Sequence, residues 1–434
     1  MPALAGAFET LQFLKQFGFE EDPFASTNAA DEPNLSNYFV EPPYFASVMG
    51  DPSRPKSHVV LAPRGGGKTA QRRMIEDASR SENILCVTYD TFSLPEKFQL
   101  RDATWDYHAE QVARLILVGI LAKLLDDPNS VGGLSKHSKS QLGIFVQKFL
   151  GSITEEQFEQ AIKAIKSLPE KTIELVRRFA GPFNALVGAV LTHFGLPTVE
   201  LKEATAQANR SESLRADLAR LSIIASETGF DSIYVLVDRV DEIGLTATNA
   251  AKTLEFIHAL ITDLPTLELE GVAFKFFLWD LIEQDLRSTG GRPDRVPIYT
   301  LAWSPEDLQQ MISRRLKALS GGTISRLSQL LCPEFDLDAD QLMAHLAGGS
   351  PRDLIRMMAR VVAEQTRTRS DATCIGNRAL WDGVRLFSDE RSEELIGRYL
   401  PDVRRIGARG QVTFTNNQLA SDVFRISTLS LIHI

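Results

Sequence analysis

Seven residues, Pro63-Arg64-Gly65-Gly66-Gly67-Lys68-Thr69, combine glycines, a lysine and a hydroxyl in an order that suits phosphate binding. The glycines allow successive backbone N–H groups to point at one anion. A helical pattern that begins at Ala70 adds the positive end of a helix dipole. Lys68 would reach the β- and γ-phosphates of a nucleotide, and the Thr69 hydroxyl would bind Mg²⁺. The residues from Pro63 to Ala70 are therefore candidates for binding ATP.

One position departs from the phosphate-loop pattern G-x-x-x-x-G-K-[ST], because Ala62 stands where the first glycine is expected. A methyl group disfavours a positive φ by about 1 kcal/mol, so we expect a cost in nucleotide affinity. The alternative interpretation is a glycine-rich turn between a strand and a helix, with Lys68 simply solvated.

An acidic cluster, Asp238-Arg239-Val240-Asp241-Glu242, follows the apolar run at residues 233–237. An aspartate at the carboxyl end of a buried strand beside a phosphate loop holds Mg²⁺ directly or through water, and Asp238 is the candidate. Glu242 or Asp241 is the candidate base that polarises an attacking water. The alternative is a buried strand that ends in a solvated turn.

These motifs must be positioned by strands and helices, and the hydrophobic pattern predicts both. Continuous apolar runs indicate buried parallel strands at 59–61, 83–89, 233–237, 272–279 and 296–302. Apolar residues at helical spacing predict helices at 70–80, 105–125, 211–228, 250–264 and 306–319. The glycine-rich loop and the acidic cluster each follow a strand, so we expect both at the carboxyl edge of one sheet.

Composition and charge exclude several classes of protein. A chain of 434 residues, 44% of them hydrophobic, is long enough for two or three domains with full cores. A net charge of −9 disfavours a general attraction to nucleic acid. The three cysteines are far apart and indicate neither a disulfide framework nor a C-x-x-C metal site, which suits a reducing cytoplasm.

The uncharged segment at 180–197 approaches the length of a membrane span. A single crossing there would separate the phosphate loop from the acidic cluster, so we interpret the segment as a buried helix. The first residues lack the basic and apolar regions of a signal peptide. We therefore expect a cytoplasmic protein with no membrane partner.

Together the motifs resemble those of P-loop ATPases of the AAA+, STAND and KAP group, of the bacterial defence or mobile-element type, over residues 17–365. The resemblance implies an α/β fold, a P-loop NTPase three-layer αβα parallel sheet with a large helical insertion and a C-terminal helical lid. It also implies a Mg²⁺-dependent ATPase that works as a homo-oligomer or with a partner effector protein.

The resemblance further assigns roles to three arginines. In Gly349-Ser350-Pro351-Arg352, the arginine matches a lid residue that contacts the nucleotide. Arg292 and Arg295 match, by position, an arginine finger offered to a neighbouring subunit, and they join Lys68 as candidate catalytic residues. For Arg352 the alternative is a solvated helix residue.

Four parts follow from these patterns. They are a lead-in segment at 1–57, an ATPase core at 58–302 with a helical insertion at about 105–211, a helical lid at 303–370, and a small module at 371–434. In the last part, helices at 378–387 and 392–400 precede a strand at 411–415, an order that suits a winged helix with Arg404, Arg405 and Arg409 as phosphate contacts. The alternative, which three arginines in six residues favour, is a solvated loop. The apolar residues at 429–434 have no cap, so the module either continues or ends in foreign residues.

The sequence is compatible with three functions. The first is an ATP-binding and ATP-hydrolysing protein that couples nucleotide state to assembly or to the action of a partner, as in anti-phage defence. The second is a DNA-binding or DNA-remodelling ATPase of the AAA+ type, which the acidic net charge disfavours. The third is a nucleotide-binding module without turnover, which the alanine at position 62 motivates.

Overall fold

The computed structural model describes residues 2–179, 186–196, 207–247, 249–396, 400–409 and 414–425. The chain divides into two compact units. The sheet unit comprises Asn28–Met311 with Gly349–Pro351, and the helical unit comprises Met1–Thr27, Ile312–Gly348 and Arg352–Ile434.

Parallel strands form the centre of the sheet unit. Over the described residues they are β1 (His58–Ala62), β2 (Ile84–Tyr89), β3 (Ser232–Val237), β4 (Val272–Trp279) and β5 (Ile298–Thr300). Their order across the sheet is β2-β3-β4-β1-β5, and each neighbouring pair is parallel. The predicted α/β class with a parallel sheet is confirmed, although β5 is shorter than the apolar run at 296–302.

Helices occupy most of the remaining described chain. The first ten are α1 (Pro2–Lys15), α2 (Leu35–Tyr38), α3 (Phe45–Met49), α4 (Lys68–Ser79), α5 (Trp105–Asp126), α6 (Ser130–Gly133), α7 (Lys136–Phe145), α8 (Glu155–Ala164), α9 (Glu170–Phe179) and α10 (Leu186–His193). The others are α11 (Gln207–Glu227), α12 (Ala250–Ile261), α13 (Leu264–Leu267), α14 (Glu283–Ser288), α15 (Pro305–Leu319), α16 (Ala339–Leu346), α17 (Pro351–Thr368), α18 (Asn377–Ile396), α19 (Leu400–Gly407) and α20 (Asn416–Gln418).

Helices cover both faces of the sheet, and side chains along β1 alternate between them. Val60 packs into a core that includes Ile75 of α4 and Phe45 of α3, on what we call the α4 face. Val59 and Leu61 pack into the opposite core, which α5, α11 and α12 help to form, on what we call the α5 face. Because both faces are buried, the strands have continuous apolar runs.

Residues of the helical insertion close the free edge of β2. Ile165 forms an antiparallel bridge with Val87, and the Lys166 N–H donates to the Cys86 carbonyl at 3.1 Å. The Cys86 N–H in turn donates to the Ser167 hydroxyl at 3.1 Å. These contacts satisfy backbone groups that an open edge strand would present to another chain.

The C-terminal region departs from the sequence-based expectation. Asn377–Ile396 is one continuous helix where two helices, at 378–387 and 392–400, were predicted. Ion pairs of Arg360 with Glu390 and of Arg391 with Asp353 hold the helix across the expected break. The predicted strand at 411–415 falls largely on residues 410–413, which lie outside the described residues, as do residues 429–434.

The cysteines correct another expectation. Cys332 and Cys374 form a disulfide in the helical unit, although the sequence indicated no disulfide. The two are 42 residues apart, and a backbone bridge between Leu331 and Ile375 brings them together. Cys86 is buried in β2 as a free thiol.

Among the described helices, none is both long and apolar enough to cross a membrane. Of the uncharged segment at 180–197, the structure describes residues 186–196, and α10 accounts for most of them.

Candidate functional site

The order of the strands creates a crevice at the carboxyl end of β1. After β1 the chain enters α4 on the α4 face, whereas after the adjacent β4 it enters α14, whose Leu286 packs into the core on the α5 face. Neighbouring strands whose following helices lie on opposite faces leave a crevice at their carboxyl ends, and ligands of open α/β sheets bind in such crevices. The glycine-rich loop lies at this point.

The loop is compact, and its glycines are required by its geometry. The Gly66 N–H donates to the Pro63 carbonyl at 3.0 Å, which closes a tight turn. Gly65 and Gly67 have φ values of +78° and +98°, in the left-handed region that glycine adopts without strain. A Cβ atom on Gly66 would lie 3.0 Å from the Pro63 carbonyl oxygen. Side chains larger than hydrogen would therefore open the turn.

Ala62 does not carry the cost that the sequence suggested. It is the last residue of β1, fully buried and in parallel register with Trp279 of β4. The non-glycine residues with positive φ among those described are Asn83, Arg239, Ala247 and Arg425. Because Ala62 is in extended backbone, the expected penalty for a positive φ was wrong.

Lys68 begins α4 and folds back on the loop. Its ammonium donates to the carbonyls of Ala62 at 2.9 Å and Pro63 at 3.2 Å. Burial lowers the pKa of Lys68, and the nearby carboxylates of Asp241, Asp238 and Asp280 oppose that shift. A half-buried ammonium group held by two neutral carbonyls is well suited to exchange them for an anion.

Asp238 directly follows β3, and its carboxylate contacts two side chains of α4. Its Oδ2 accepts a hydrogen bond from the Thr69 hydroxyl at 3.2 Å and lies 2.9 Å from Arg72 Nε. Its Oδ1 accepts from the Arg239 N–H at 2.9 Å. Burial raises the pKa of Asp238, and the positive charge of Arg72 opposes the rise.

Arg72 is a site residue that the sequence did not single out. Its side chain is only 4% exposed, and besides Asp238 it pairs with Glu76, whose Oε1 lies 2.5 Å from Nη1. Asp90, after β2, lies further away at 3.7 Å. The Thr88 hydroxyl donates to the same Glu76 oxygen at 2.6 Å. The regular four-residue spacing of Lys68, Arg72 and Glu76 on α4 is the signal that could have found it.

Asp241 is held by an arginine from the glycine-rich loop. Arg64 Nε donates to Asp241 Oδ2 at 2.9 Å, and Arg64 Nη2 donates to the Asp241 backbone carbonyl at 2.8 Å. The guanidinium also stacks over the Trp279 ring, 4.8 Å from its centroid. Asp241 is buried, whereas the Arg64 side chain is 34% exposed.

Glu242 lies on the surface of a short 3₁₀ helix, Val240–Glu242. Its side chain is 61% exposed and lies 3.7 Å from Arg239. Arg239 has a left-handed φ of +59°, which turns the backbone sharply between Asp238 and Asp241. After that turn the two aspartates pair with different arginines, Asp238 with Arg72 and Asp241 with Arg64.

Trp303 contacts the glycine-rich loop. Trp303 Nε1 donates to the Gly66 carbonyl at 2.7 Å, and its ring lies beside Gly67. Gly349 approaches the Trp303 carbonyl, so that a Cβ atom there would be 3.5 Å from the oxygen. No local sequence pattern marks Trp303, because its contact with the loop joins residues far apart in the chain.

Three arginines remain among the predicted site residues. Arg292 pairs with Asp294 at 2.7 Å and Arg295 with Glu268 at 2.7 Å, both on the surface. They precede β5, at the amino edge of the sheet, opposite the glycine-rich loop. Arg352 belongs to the helical unit.

The positions of Thr69 and Asp238 can be compared with those that a Mg²⁺ site requires. No group of three or more His, Cys, Asp or Glu side chains that could hold a metal ion is found in the described parts of the chain. Mg²⁺ commonly uses one or two protein oxygens and completes its shell with water and phosphate. Neighbouring ligands of an octahedral Mg²⁺ are about 3 Å apart, given ligand distances of about 2.1 Å. The separation of 3.2 Å between Thr69 Oγ1 and Asp238 Oδ2 is compatible with such a pair.

Function must be inferred from the chain's own residues and their geometry. Comparison with protein-family models gave no match, and neither the curated proteins nor the solved structures gave a significant one.

Proposed function

We propose that this chain is a Mg²⁺-dependent ATPase of the P-loop type, with its nucleotide site in the glycine-rich loop after β1. The observation that carries the proposal is the contact between the start of α4 and the residue after β3, where Thr69 Oγ1 lies 3.2 Å from Asp238 Oδ2 next to Lys68 in the chain. A solvated turn would not require an ammonium group and a hydroxyl at the start of α4 to lie beside a buried carboxylate that follows β3. Burying such groups costs free energy unless they are used or paired.

The loop supplies the contacts that a triphosphate needs. Gly65 and Gly67 allow the backbone to wrap around an anion, and the first N–H groups of α4 have no partners within the helix. Lys68 would exchange the carbonyls of Ala62 and Pro63 for phosphate oxygens. Mg²⁺, held by Thr69 and Asp238, would neutralise charge on the phosphates.

Hydrolysis would also require a base, which the acidic cluster would supply. A water oxygen adds to the terminal phosphorus while the bond to the bridging oxygen breaks, which gives ADP and phosphate, and the water proton passes to a base. Glu242 and Asp241 are the candidates for that base. Glu242 is exposed, whereas Asp241 is engaged by Arg64, so Glu242 is the more accessible of the two in this structure.

Removing the central contacts tests the proposal. We expect Lys68→Ala to weaken ATP binding and slow hydrolysis at least about tenfold, because a charge-assisted contact to phosphate is lost. Asp238→Asn should abolish Mg²⁺-dependent turnover, and Glu242→Gln should trap bound ATP if this glutamate is the base. Phosphate release and the affinity for ATP are the measurements.

Lys252→Ala, at an exposed lysine that begins α12, is the matched control and should behave as wild type. Phosphate release that is unchanged in Lys68→Ala would contradict the proposal. ATP binding without any release would instead favour a nucleotide-binding module.

We further propose that nucleotide state is coupled to assembly or to the action of a partner. Arg292 and Arg295 lie at the amino edge of the sheet, away from the glycine-rich loop of their own chain. Contact with a nucleotide would therefore require the loop of a neighbouring copy.

A further inference from the structure

Each aspartate of the acidic cluster is paired with an arginine, but the two arginines differ in how much of the side chain is exposed. Arg72 is 4% exposed and is fixed by a second acid, Glu76, so its pair with Asp238 is part of the core. Arg64 is 34% exposed, and Asp241 is its one acidic partner among the described residues. The pair of Arg64 with Asp241 is the one that can open without disturbing the core.

Arg64 is also placed where a second cation would meet a phosphate. It lies one residue before the first glycine of the loop and four residues before Lys68 in the chain. Two neighbouring cations repel each other, and a polyanion between them removes that repulsion. The planar guanidinium matches phosphate oxygens with two parallel hydrogen bonds, as it now matches the Asp241 side chain and carbonyl.

We propose that Arg64 leaves Asp241 when a nucleoside triphosphate binds and contacts the terminal phosphate from within the same chain. This inference rests on the proposed ATPase function and adds a residue and a regulatory contact to it. In this structure Asp241 holds Arg64 over the Trp279 ring. The exchange frees the Asp241 carboxylate at the same moment as the guanidinium binds phosphate.

The rest of the site favours this exchange. The Arg64 side chain is 34% exposed while that of Asp241 is 6% exposed, so water weakens the pair from the side of the arginine. A terminal phosphate carries more charge than a carboxylate and offers three oxygens. Arg292 and Arg295 lie at the opposite edge of the sheet. Arg64, in contrast, belongs to the glycine-rich loop and lies at the crevice near Lys68.

Substitution of Arg64 tests the inference with a binding readout as well as turnover. Arg64→Gln should lower kcat at least about tenfold, since an arginine at the transferred phosphate accounts for large factors in related chemistry. It should also weaken ATP binding at least about tenfold while leaving ADP binding unchanged, because ADP lacks the terminal phosphate. Arg64→Lys, which keeps the charge but not the two parallel donors, should fall between the wild type and Arg64→Gln.

The indole below the guanidinium reports the movement directly. A slowly hydrolysed ATP analogue should change tryptophan emission as Arg64 leaves the Trp279 ring, whereas ADP should not. Trp279→Phe should remove that change while Trp303 remains. Arg287→Gln is the control, because Arg287 is an exposed arginine whose ion pair, with Glu283, lies within α14. Melting temperatures equal to that of the wild type exclude a folding defect.

The outcomes separate this inference from the function on which it rests. If the wild type binds ATP and Lys68→Ala does not, but Arg64→Gln keeps the wild-type kcat and ratio of ATP to ADP affinity, the role of Arg64 is overturned and the ATPase proposal stands. If the wild type binds no ATP, the proposed function itself fails. If both the affinity ratio and the Trp279 emission respond as described, Arg64 is the contact to the terminal phosphate.

Discussion

A lysine inside the sheet illustrates how burial changes the chemistry of a single residue. Lys275 lies in β4 and is fully buried on the α4 face. Its ammonium donates to the Lys56 carbonyl at 2.9 Å and lies 4.4 Å from the centre of the Tyr234 ring. Burial lowers the pKa of Lys275 to about 7. From the sequence, this lysine interrupts an apolar strand without indicating how it is accommodated.

Stability should therefore rise with pH between about 7 and 9. Over this range Lys275 is increasingly neutral in the folded protein, whereas an unfolded lysine, with a pKa of about 10.4, stays protonated. The unfolded state then binds more protons, and the free energy of unfolding increases by up to about 1.4 kcal/mol per pH unit from this residue. Urea unfolding at a series of pH values measures the slope.

Lys275→Met should remove most of this slope, because the ionisable group is gone while a chain of similar length remains. Lys252→Met, at an exposed position on α12, should leave the slope as it is. The same pH dependence in Lys275→Met and in the wild type would show that another group is responsible.

At the scale of elements, α17 and α18 of the helical unit show what periodicity does not reveal. Gly383 lies in the middle of α18, and a Cβ atom there would be 2.5 Å from the Cα atom of Val361 on α17. The two helices thus pack backbone to backbone at this point. Arg356 and Glu394 add an ion pair at 2.6 Å between them. In the sequence Gly383 is only a weak helix former, and nothing marks it as a contact.

Gly383→Ala should destabilise the helical unit by about 1–3 kcal/mol, because a methyl group against backbone atoms forces the helices apart. This overcomes a gain in helix propensity of about 1 kcal/mol. Gly188→Ala in α10, where no atom lies within 4 Å of the added Cβ, should be neutral or stabilising. Urea unfolding of both variants gives the comparison, and stabilisation by Gly383→Ala would contradict the close packing.

At the scale of the whole molecule, the two units are stabilised in different ways. The sheet unit has a large apolar core on each face of the sheet. The helical unit adds the disulfide between Cys332 and Cys374, which closes a span of 42 residues. A crosslink of this length removes conformations mainly from the unfolded chain.

Reduction should therefore affect the helical unit and spare the sheet unit. We expect the double variant Cys332→Ser and Cys374→Ser to lose about 2–4 kcal/mol of unfolding free energy in the helical unit. Hydrogen exchange resolved by segment measures both units, and a reductant added to the wild type should reproduce the effect. Equal loss of protection in β1 to β5 would show that the crosslink stabilises both units.

Local patterns predicted much of the scaffold of the candidate site. The run at 272–279 became β4 with the same bounds, and the helix predicted at 306–319 is α15, which begins one residue earlier. The Asp307 N–H donates to the Ser304 hydroxyl at 3.1 Å and so caps this helix. Apolar runs and capping residues act over a few positions, so the sequence carries them. The roles of Lys68, Thr69 and Asp238 remain predictions, although the structure brings these residues together.

By itself the sequence determined the five parallel strands and several of the long helices beside them, and that a glycine-rich loop and an acidic cluster each follow a strand. Only the tertiary structure decided that Ala62 is extended, that Arg72 holds Asp238 and that Arg64 holds Asp241. It also paired Cys332 with Cys374. The reason is physical: each of these pairs joins residues far apart in the chain, and its strength depends on burial and direction, which arise only when the strands and helices pack.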